Sequence, residues 1–162
     1  MQNAKDSFYI ALRDRLAAVN PARIINIRGV QRPGILVEDA EAPKDELMND
    51  VFVLRWSSTV IIQDVPYLFM SLQCDVHYAA CGSQINAGLD RGRALTQMDR
   101  ELMTILQPTC TPKVQYTASS AVPLQTNVFW AEPVLGPITT RRNQLLRTAT
   151  VALFAFQEPG EL

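Results

Sequence analysis

Residues 68–80 alternate between two kinds of side chain without a break, and this run constrains the fold more than any other part of the sequence. The first set comprises Leu68, Met70, Leu72, Cys74, Val76, Tyr78 and Ala80, and the intervening set comprises Phe69, Ser71, Gln73, Asp75, His77 and Ala79. Side chains alternate across a β-strand, so these sets lie on opposite faces of one long strand. We therefore predict a sheet with one mainly apolar face and one mainly polar face.

Two other segments show the three- and four-residue spacing of an amphipathic helix. The apolar stripes are Phe8, Leu12, Leu16 and Val19 in the first segment and Leu95, Met98, Leu102 and Ile105 in the second. Asp6 or Ser7 is available to cap the first helix, and Asp90 to cap the second. We therefore predict helices over residues 8–19 and 90–106, each followed by a proline that marks its end.

The remaining strand signals surround these elements. Strands are predicted at residues 24–27, 35–37, 51–57 with 60–62, 113–117, 127–131 and 145–156, with a turn at residues 29–34. The first half of residues 51–57 is apolar on both faces, so this strand is expected to be central or covered by a helix. The long alternating strand should return beside it as an antiparallel neighbour.

This order of elements predicts the fold class α+β, with a mostly antiparallel sheet and two main helices packed on it. Residues 1–162 are read as a single domain, in which residues 108–144 form an extended arm or a long loop region. A chain of 162 residues is long enough to bury about 70% of the surface that its unfolded form exposes. Neither a disulfide nor a structural metal is needed to stabilise such a domain.

Composition restricts the classes of function. The formal net charge is −1, which argues against a domain whose main work is to bind nucleic acid. Cys74, Cys81 and Cys110 lack CxxC spacing and are predicted to be buried thiols in a reducing compartment. The first eight residues lack a signal-peptide pattern, and no apolar run approaches the roughly 20 residues that span a bilayer. We expect a soluble protein made in a cytoplasm, with no membrane partner.

The residues do not predict an active site. His77 is the sole histidine, and Cys81 lies four positions later, about 13 Å away on a strand that rises roughly 3.3 Å per residue. That distance is too long for proton transfer between the two side chains. The histidine and cysteines do not have zinc-ligand spacing, and the Gly-containing stretch at residues 88–92 matches no phosphate-binding fingerprint. We predict no catalytic, cofactor-binding or metal-binding residues.

Clusters of charge are the strongest candidates for contacts with partners. Residues 38–50 carry six acids, namely Glu38, Asp39, Glu41, Asp45, Glu46 and Asp50, against the single cation Lys44. This segment lacks the residue order of a calcium loop and is predicted to be an exposed loop. Arginines gather near the last strand at Arg141, Arg142 and Arg147, and Arg93, Gln97, Arg100 and Thr104 lie opposite the apolar stripe of the second helix. Either basic cluster can meet an acidic partner surface.

The order of elements resembles that of the small structural proteins at the neck of tailed bacteriophages, most closely the tail terminator or tail completion family. The resembling features are the opening helix of residues 8–19, the strand and Arg32-Pro33-Gly34 turn within residues 24–37, the paired strands around residues 51–56 and 67–80, the helix of residues 90–106 and the closing strand of residues 145–156. The resemblance covers most of the chain. Smaller family members lack the long segment between the second helix and the final strand.

The resemblance implies a virion protein without catalysis or cofactors, made in the bacterial host cytoplasm. Such a protein forms a ring with itself, typically a hexamer, on the last ring of the tail tube and presents a surface to the head connector or neck proteins. DNA passes through its channel without sequence-specific binding. Ring closure needs contacts between two different patches. We expect these contacts to involve the acidic residues Glu38, Asp39, Glu41, Asp45 and Glu46, or the arginines Arg141, Arg142 and Arg147.

Other functions stay open at this point. In the same class are a tail tube subunit, a baseplate subunit and a part of a phage-like injection machine. A different class is a small cytoplasmic thiol-dependent enzyme that uses Cys81, Cys110 or His77. A third is an interaction domain that binds one protein partner as a monomer or dimer. A second role for the acids is to line a channel and repel passing DNA.

Overall fold

The computed structural model describes residues 1–38, 48–63, 67–82, 89–116, 120–159 and 161. The helices are α1 (Gln2–Val19) and α2 (Leu89–Ile105). The strands are β1 (Ile24–Ile27), β2 (Val30–Pro33), β3 (Ile35–Val37), β4 (Phe52–Gln63), β5 (Phe69–Cys81), β6 (Cys110–Tyr116), β7 (Ala121–Trp130), β8 (Val134–Leu135), β9 (Thr139–Arg141) and β10 (Gln144–Phe156). This inventory confirms the predicted α+β class.

The main sheet has the strand order β3-β4-β5-β10-β7-β6, and the short strands β8 and β9 also pair with β10. β5 and β10 pair along their full length as antiparallel neighbours, and β4 pairs antiparallel with the other edge of β5. Among the described strands, only β3 and β4 pair in parallel. The alternating run therefore forms a long strand antiparallel to β4, as predicted, and it lies between β4 and β10.

Both helices pack on the same face of this sheet, which we call the core face. The apolar set of β5 is buried there, together with Leu12 and Leu16 of α1 and the predicted stripe of α2. Trp130 of β7 lies in the same core, where its indole N–H donates to Leu106 O at 3.1 Å. The opposite face, which we call the open face, carries the alternate residues of β4, β5 and β10. A second small buried cluster holds Ile25, Leu36, Val51 and Val53.

The start of α1 differs from the prediction. The helix begins at Gln2, and neither Asp6 nor Ser7 caps it, because Met1 occupies the N-cap position without a side-chain cap bond. Ser7 is buried instead: its hydroxyl donates to Asn3 O at 2.6 Å and accepts from the Val114 N–H at 2.8 Å. The serine therefore ties α1 to β6, a long-range contact that local sequence patterns do not indicate.

The predicted turn at residues 29–34 is also wrong. Its first part is the strand β2, which forms a hairpin with β1 around Arg28 and Gly29. Both turn residues have positive φ, +53° and +82°, as a two-residue hairpin turn with the twist of the strands requires. β3 does not return beside β1 but pairs with β4.

Residues 108–144 contribute β6, β7, β8 and β9 to the main sheet. The segment between the two predicted strand pieces is largely strand, because β7 starts at Ala121 and pairs with β6 from there. These four strands extend the sheet on the side of β10 that faces away from β5.

Candidate assembly surfaces

The structure places only part of the predicted acidic interface. Glu38 directly follows β3, and its Oε2 lies 3.2 Å from Nε of the exposed Arg55 of β4. Asp39, Glu41, Asp45 and Glu46 lie outside the described residues. Glu38 is thus already engaged within the chain, and the acids that follow it remain predictions.

The three predicted arginines do not form one cluster. Arg141 and Arg142 are exposed at the β9–β10 turn, where Arg142 has a φ of +53°. Arg147 instead lies mostly buried and binds Asp99 of α2, with 2.6 Å between Nη1 and Oδ2. Its Nε also donates to Gly136 O at 2.9 Å. Arg147 therefore joins a helix, a strand and a loop of the same chain.

The Asp99 carboxylate also accepts a hydrogen bond of 2.5 Å from the Tyr78 hydroxyl. Burial raises the pKa of Tyr78, and the hydrogen bond to Asp99 raises it further. The phenol therefore stays protonated and acts as a donor. This network fixes α2 on the sheet and is structural.

The predicted thiol residues are not brought together with an acid–base partner. His77 is half-buried on the open face, and its Nδ1 lies 2.9 Å from Thr148 Oγ1. Its Nε2 is buried without a hydrogen-bond partner among the described residues. Burial lowers the pKa of His77, while nearby Asp75 and Glu38 act in the opposite direction. The ring is therefore held mainly neutral and bonded to a threonine hydroxyl.

The prediction that all three cysteines are buried is wrong. Cys74 is buried, but Cys81 and Cys110 are exposed free thiols at strand ends. Burial raises the pKa of the Cys74 thiol, and nearby Asp75 raises it further. The alternating pattern correctly predicted that Cys74 lies on the buried face of β5. A periodic pattern does not indicate whether another element covers the end of a strand, where Cys81 and Cys110 lie.

The middle of the open face is polar, and several of its side chains hydrogen-bond one another across β5 and β10. Thr150 Oγ1 donates to Asp75 Oδ1 at 2.8 Å, and His77 meets Thr148 across the same pair of strands. A surface whose polar groups are paired internally can be covered without leaving those groups unpaired. The cost of burying these paired groups against a partner is correspondingly low.

One end of the open face carries four phenylalanines, which we call the phenylalanine patch. It consists of Phe69 of β5, Phe129 of β7, and Phe154 and Phe156 of β10. Ring centroids lie 4.5 Å apart for Phe69 and Phe156 and 5.6 Å apart for Phe129 and Phe154. Phe129 and Phe156 remain 36% and 37% exposed, and none of the four belongs to a buried core cluster. No other element of the described ranges covers this corner of the sheet.

The sequence patterns did not predict this patch. Phe69 is the large apolar residue in the otherwise mainly polar set of the alternating strand. This exception is the one sequence feature that indicates an apolar site on the open face. The other three phenylalanines lie 60 or more residues further along the chain, so only the register of β10 against β5 and β7 brings them beside Phe69.

The outer edge of β4 is a second exposed feature. β3 pairs with β4 only as far as Leu54, and no described strand pairs with this edge beyond that residue. Val60, Ile61 and Ile62 of this stretch are each more than half exposed. Irregularities in register after Trp56 and after Ile61 interrupt the ladder, a feature that limits uncontrolled pairing at sheet edges.

A groove of about 840 Å³ lies on the helix layer, between the end of α1 and the outer side of α2. We call it the basic groove. Its lining includes Val19, Leu89, Arg93, Gln97, Arg100 and Glu101. Arg93 and Arg100 are exposed and take part in no ion pair within the described part of the chain.

Glu101 is the acid of this lining, and it is 6% exposed. Its carboxylate accepts hydrogen bonds from Arg23, from Asn20 at 2.7 Å and from Gln97 at 3.1 Å. Burial alone would raise the pKa of Glu101, but these hydrogen bonds and the Arg23 charge outweigh it and lower the pKa below its ordinary value. Glu101 is therefore ionised and neutralised by Arg23, which leaves the groove with the charge of Arg93 and Arg100.

Within the described ranges, no group of three or more His, Cys, Asp or Glu side chains could hold a metal ion. No helix described by the structure is both long and apolar enough to cross a bilayer. No protein-family model matches the sequence, and no curated protein is significantly similar to it.

Proposed function

We propose that the protein is a non-enzymatic structural subunit of a tailed bacteriophage, a tail terminator or neighbouring neck protein. It forms a ring, a hexamer, at the head-proximal end of the tail tube and joins the tail to the head connector. The observation that carries the assembly role is the phenylalanine patch, an apolar surface that no described element of the same chain covers.

Burial of this patch stabilises an assembly. Each Å² of apolar surface removed from water contributes about 25 cal/mol, and phenylalanines are enriched in protein interfaces. Some adjoining polar groups of the open face bond one another, as Asp75 and Thr150 do. A flat partner surface can therefore cover the patch without a large cost from unpaired polar groups.

A ring needs two different surfaces on each subunit, because a closed head-to-tail arrangement joins unlike patches. The phenylalanine patch lies on the open face, and the basic groove lies on the helix layer, on the opposite side of the sheet. This two-sided arrangement supports head-to-tail contacts. The resemblance in element order to tail terminator proteins supports a ring at the tail end in particular.

Native mass spectrometry and negative-stain microscopy of the full chain test the proposal. We expect rings of a single size. Phe129→Ser with Phe156→Ser should shift the population towards free subunits, because both side chains are partly exposed in the patch. The matched control is Val30→Ser, which removes an exposed apolar side chain from the β1–β2 hairpin and should leave rings unchanged. A wild-type chain that stays monomeric at all concentrations would contradict the proposal.

Two further measurements separate the remaining functions. Reversal of Arg141 and Arg142 to Glu should weaken ring assembly, and unchanged rings would remove this pair from the interface. Proteomic analysis of purified phage particles should find the protein in the tail or neck. A monomer that is absent from particles and has a thiol-dependent activity abolished by Cys81→Ala would favour the enzyme instead.

A further inference from the structure

The outer edge of β4 beyond Leu54 has the chemistry of a strand that pairs with another strand. Every second residue of an edge strand directs its N–H and C=O away from the neighbouring strand of an antiparallel sheet. For residues 57–62, no backbone hydrogen bond joins these groups to any described segment outside β5. An extended chain is what satisfies a row of free N–H and C=O groups, so this edge selects a β-strand as its partner.

The side chains of this edge favour an uncharged, apolar partner. Residues 56–63 contain no charged residue and no proline, and most of them are β-branched or aromatic, which favours strand structure. Val60 and Ile61 are 57% and 60% exposed. They lie on opposite faces of the sheet, because Val60 is in register with Ser71 and Ile61 with Met70. A strand that pairs here therefore contacts apolar side chains on both faces.

Two other free stretches of the main sheet are closed by the chain itself. The outer edge of β6 lies against α1, where Ser7 Oγ accepts from the Val114 N–H at 2.8 Å. The part of β7 that extends past β10 contains Pro123, which has no N–H, and its Thr126 N–H donates to Glu158 Oε1 at 2.8 Å. Among the described strands of this sheet, β4 therefore presents the one long edge with open hydrogen-bonding groups.

We propose that this edge pairs with the same edge of a second copy. Because the other long stretches are closed, two copies extend the sheet by joining β4 to β4. Such a contact relates like surfaces by a two-fold axis and is antiparallel, which is the more stable pairing. The stretch from Ser58 to Ile61 keeps an unbroken register with β5 between the two irregularities of β4, which places the axis near Val60. Since this stretch carries no charged residue, self-pairing opposes no like charges.

This contact goes beyond the proposed ring and does not depend on it. Ring closure joins unlike surfaces, whereas the β4 contact joins like ones. Chains that form rings are joined by it into pairs of rings, and chains that form no ring are joined into dimers. The phenylalanine patch lies on a face of the sheet and the β4 edge lies in its plane, so the two contacts use different surfaces.

Two charge-swapped variants of the full chain test the inference. Val60→Lys places two ammonium groups close together across the axis, and Val60→Glu places two carboxylates there. We expect each variant alone to raise the dissociation constant of the β4 contact more than about tenfold, because like charges opposite each other destabilise paired strands. An equimolar mixture should restore the contact with one copy of each variant, which native mass spectrometry resolves by mass. The matched controls, Val30→Lys and Val30→Glu, alter an exposed valine of β2 and should associate as wild type does.

Hydrogen exchange locates the contact on the chain. The amide hydrogens of residues 57–62 that point away from β5 should become protected in wild type as the subunit concentration rises. The same residues of Val60→Lys should stay unprotected at concentrations that protect wild type. Circular dichroism and thermal unfolding confirm that each variant is folded.

The outcomes separate this inference from the proposed function. Loss of pairing in each variant, with recovery in the mixture, supports the inference. Unchanged association of Val60→Lys overturns it, as does a mixture of folded variants that does not recover, or a wild-type chain whose residues 57–62 gain no protection with concentration. Single rings without pairing overturn the β4 contact and leave the ring intact, whereas β4 dimers without rings contradict the ring alone.

Discussion

Lys113 and Glu161 form an ion pair in the protein interior, with 2.5 Å between Lys113 Nζ and Glu161 Oε2. The Lys113 side chain is fully buried, and its ammonium also donates to Phe156 O at the end of β10. Glu161 also accepts from the N-terminal ammonium of Met1 at 3.4 Å and from the Glu158 N–H at 3.1 Å. The pair therefore joins β6, β10 and both chain termini.

Lys113→Met should destabilise the protein strongly. The substitution removes the nearer of the two cations that face the buried Glu161 carboxylate and leaves only the N-terminal ammonium at 3.4 Å. Breaking such a buried pair costs about 3–5 kcal/mol in the free energy of unfolding. Urea denaturation of wild type and variant measures this difference. The double variant Lys113→Met with Glu161→Gln should recover part of the loss, because no unpaired buried charge remains. Equal stability of Lys113→Met and wild type would show that the pair contributes nothing.

Stability should fall in acid because of Glu101. Hydrogen bonds and the Arg23 charge outweigh burial and lower the folded-state pKa of Glu101 below its ordinary value of 4.5. The unfolded chain then binds the proton first, so the stabilisation is fully present above pH 4.5 and is lost as the pH falls through the folded-state pKa. Urea denaturation between pH 7 and pH 3 should show a shallower decline for Glu101→Gln. The control Glu132→Gln, at an exposed residue, should keep the wild-type slope.

Arg147→Met should weaken the attachment of α2 to the sheet. The variant loses the ion pair with Asp99 and the hydrogen bond to Gly136 O. Hydrogen bonds to charged groups contribute about 1.5–3 kcal/mol, so a loss of that size in the free energy of unfolding is expected. Arg141→Met, at an exposed position, should change stability by less than about 0.5 kcal/mol. Similar losses for both variants would contradict the structural role of Arg147.

Thiol labelling should distinguish the three cysteines. Cys81 and Cys110 are exposed and should react with a thiol reagent in the native protein. Cys74 should react only after unfolding, because burial both blocks access and raises the pKa of its thiol. Cys110 pairs in register with Phe129 of the phenylalanine patch, so ring assembly should slow its labelling. Mass spectrometry of labelled peptides measures each rate, and equal rates for all three thiols would contradict the burial of Cys74.

The elements with strong periodicity were predicted correctly. Alternation identified β5 and its buried face, and the stripe of Leu95, Met98, Leu102 and Ile105 identified the buried face of α2. Both signals are local, since each depends on residues two to four positions apart. The cap was predicted wrongly because the Ser7 hydroxyl bonds instead to Asn3 O and to Val114 of β6, a partner more than 100 residues away.

The candidate surfaces were harder to predict. Composition indicated an acidic segment and basic clusters. It did not indicate that Arg147 forms an ion pair with Asp99, whereas Arg93 and Arg100 form no ion pair within the described residues. The difference depends on whether an acid from another element lies within reach. Sequence spacing does not contain that information.

By itself, the sequence determined which side chains share a face of each long strand or helix, because backbone geometry imposes periods of two and about 3.6 residues. Only the tertiary structure decided which of those faces are covered. Covering depends on contacts between residues distant in the chain, such as the register that sets Phe69 beside Phe156. The uncovered phenylalanine patch and the basic groove follow from that packing.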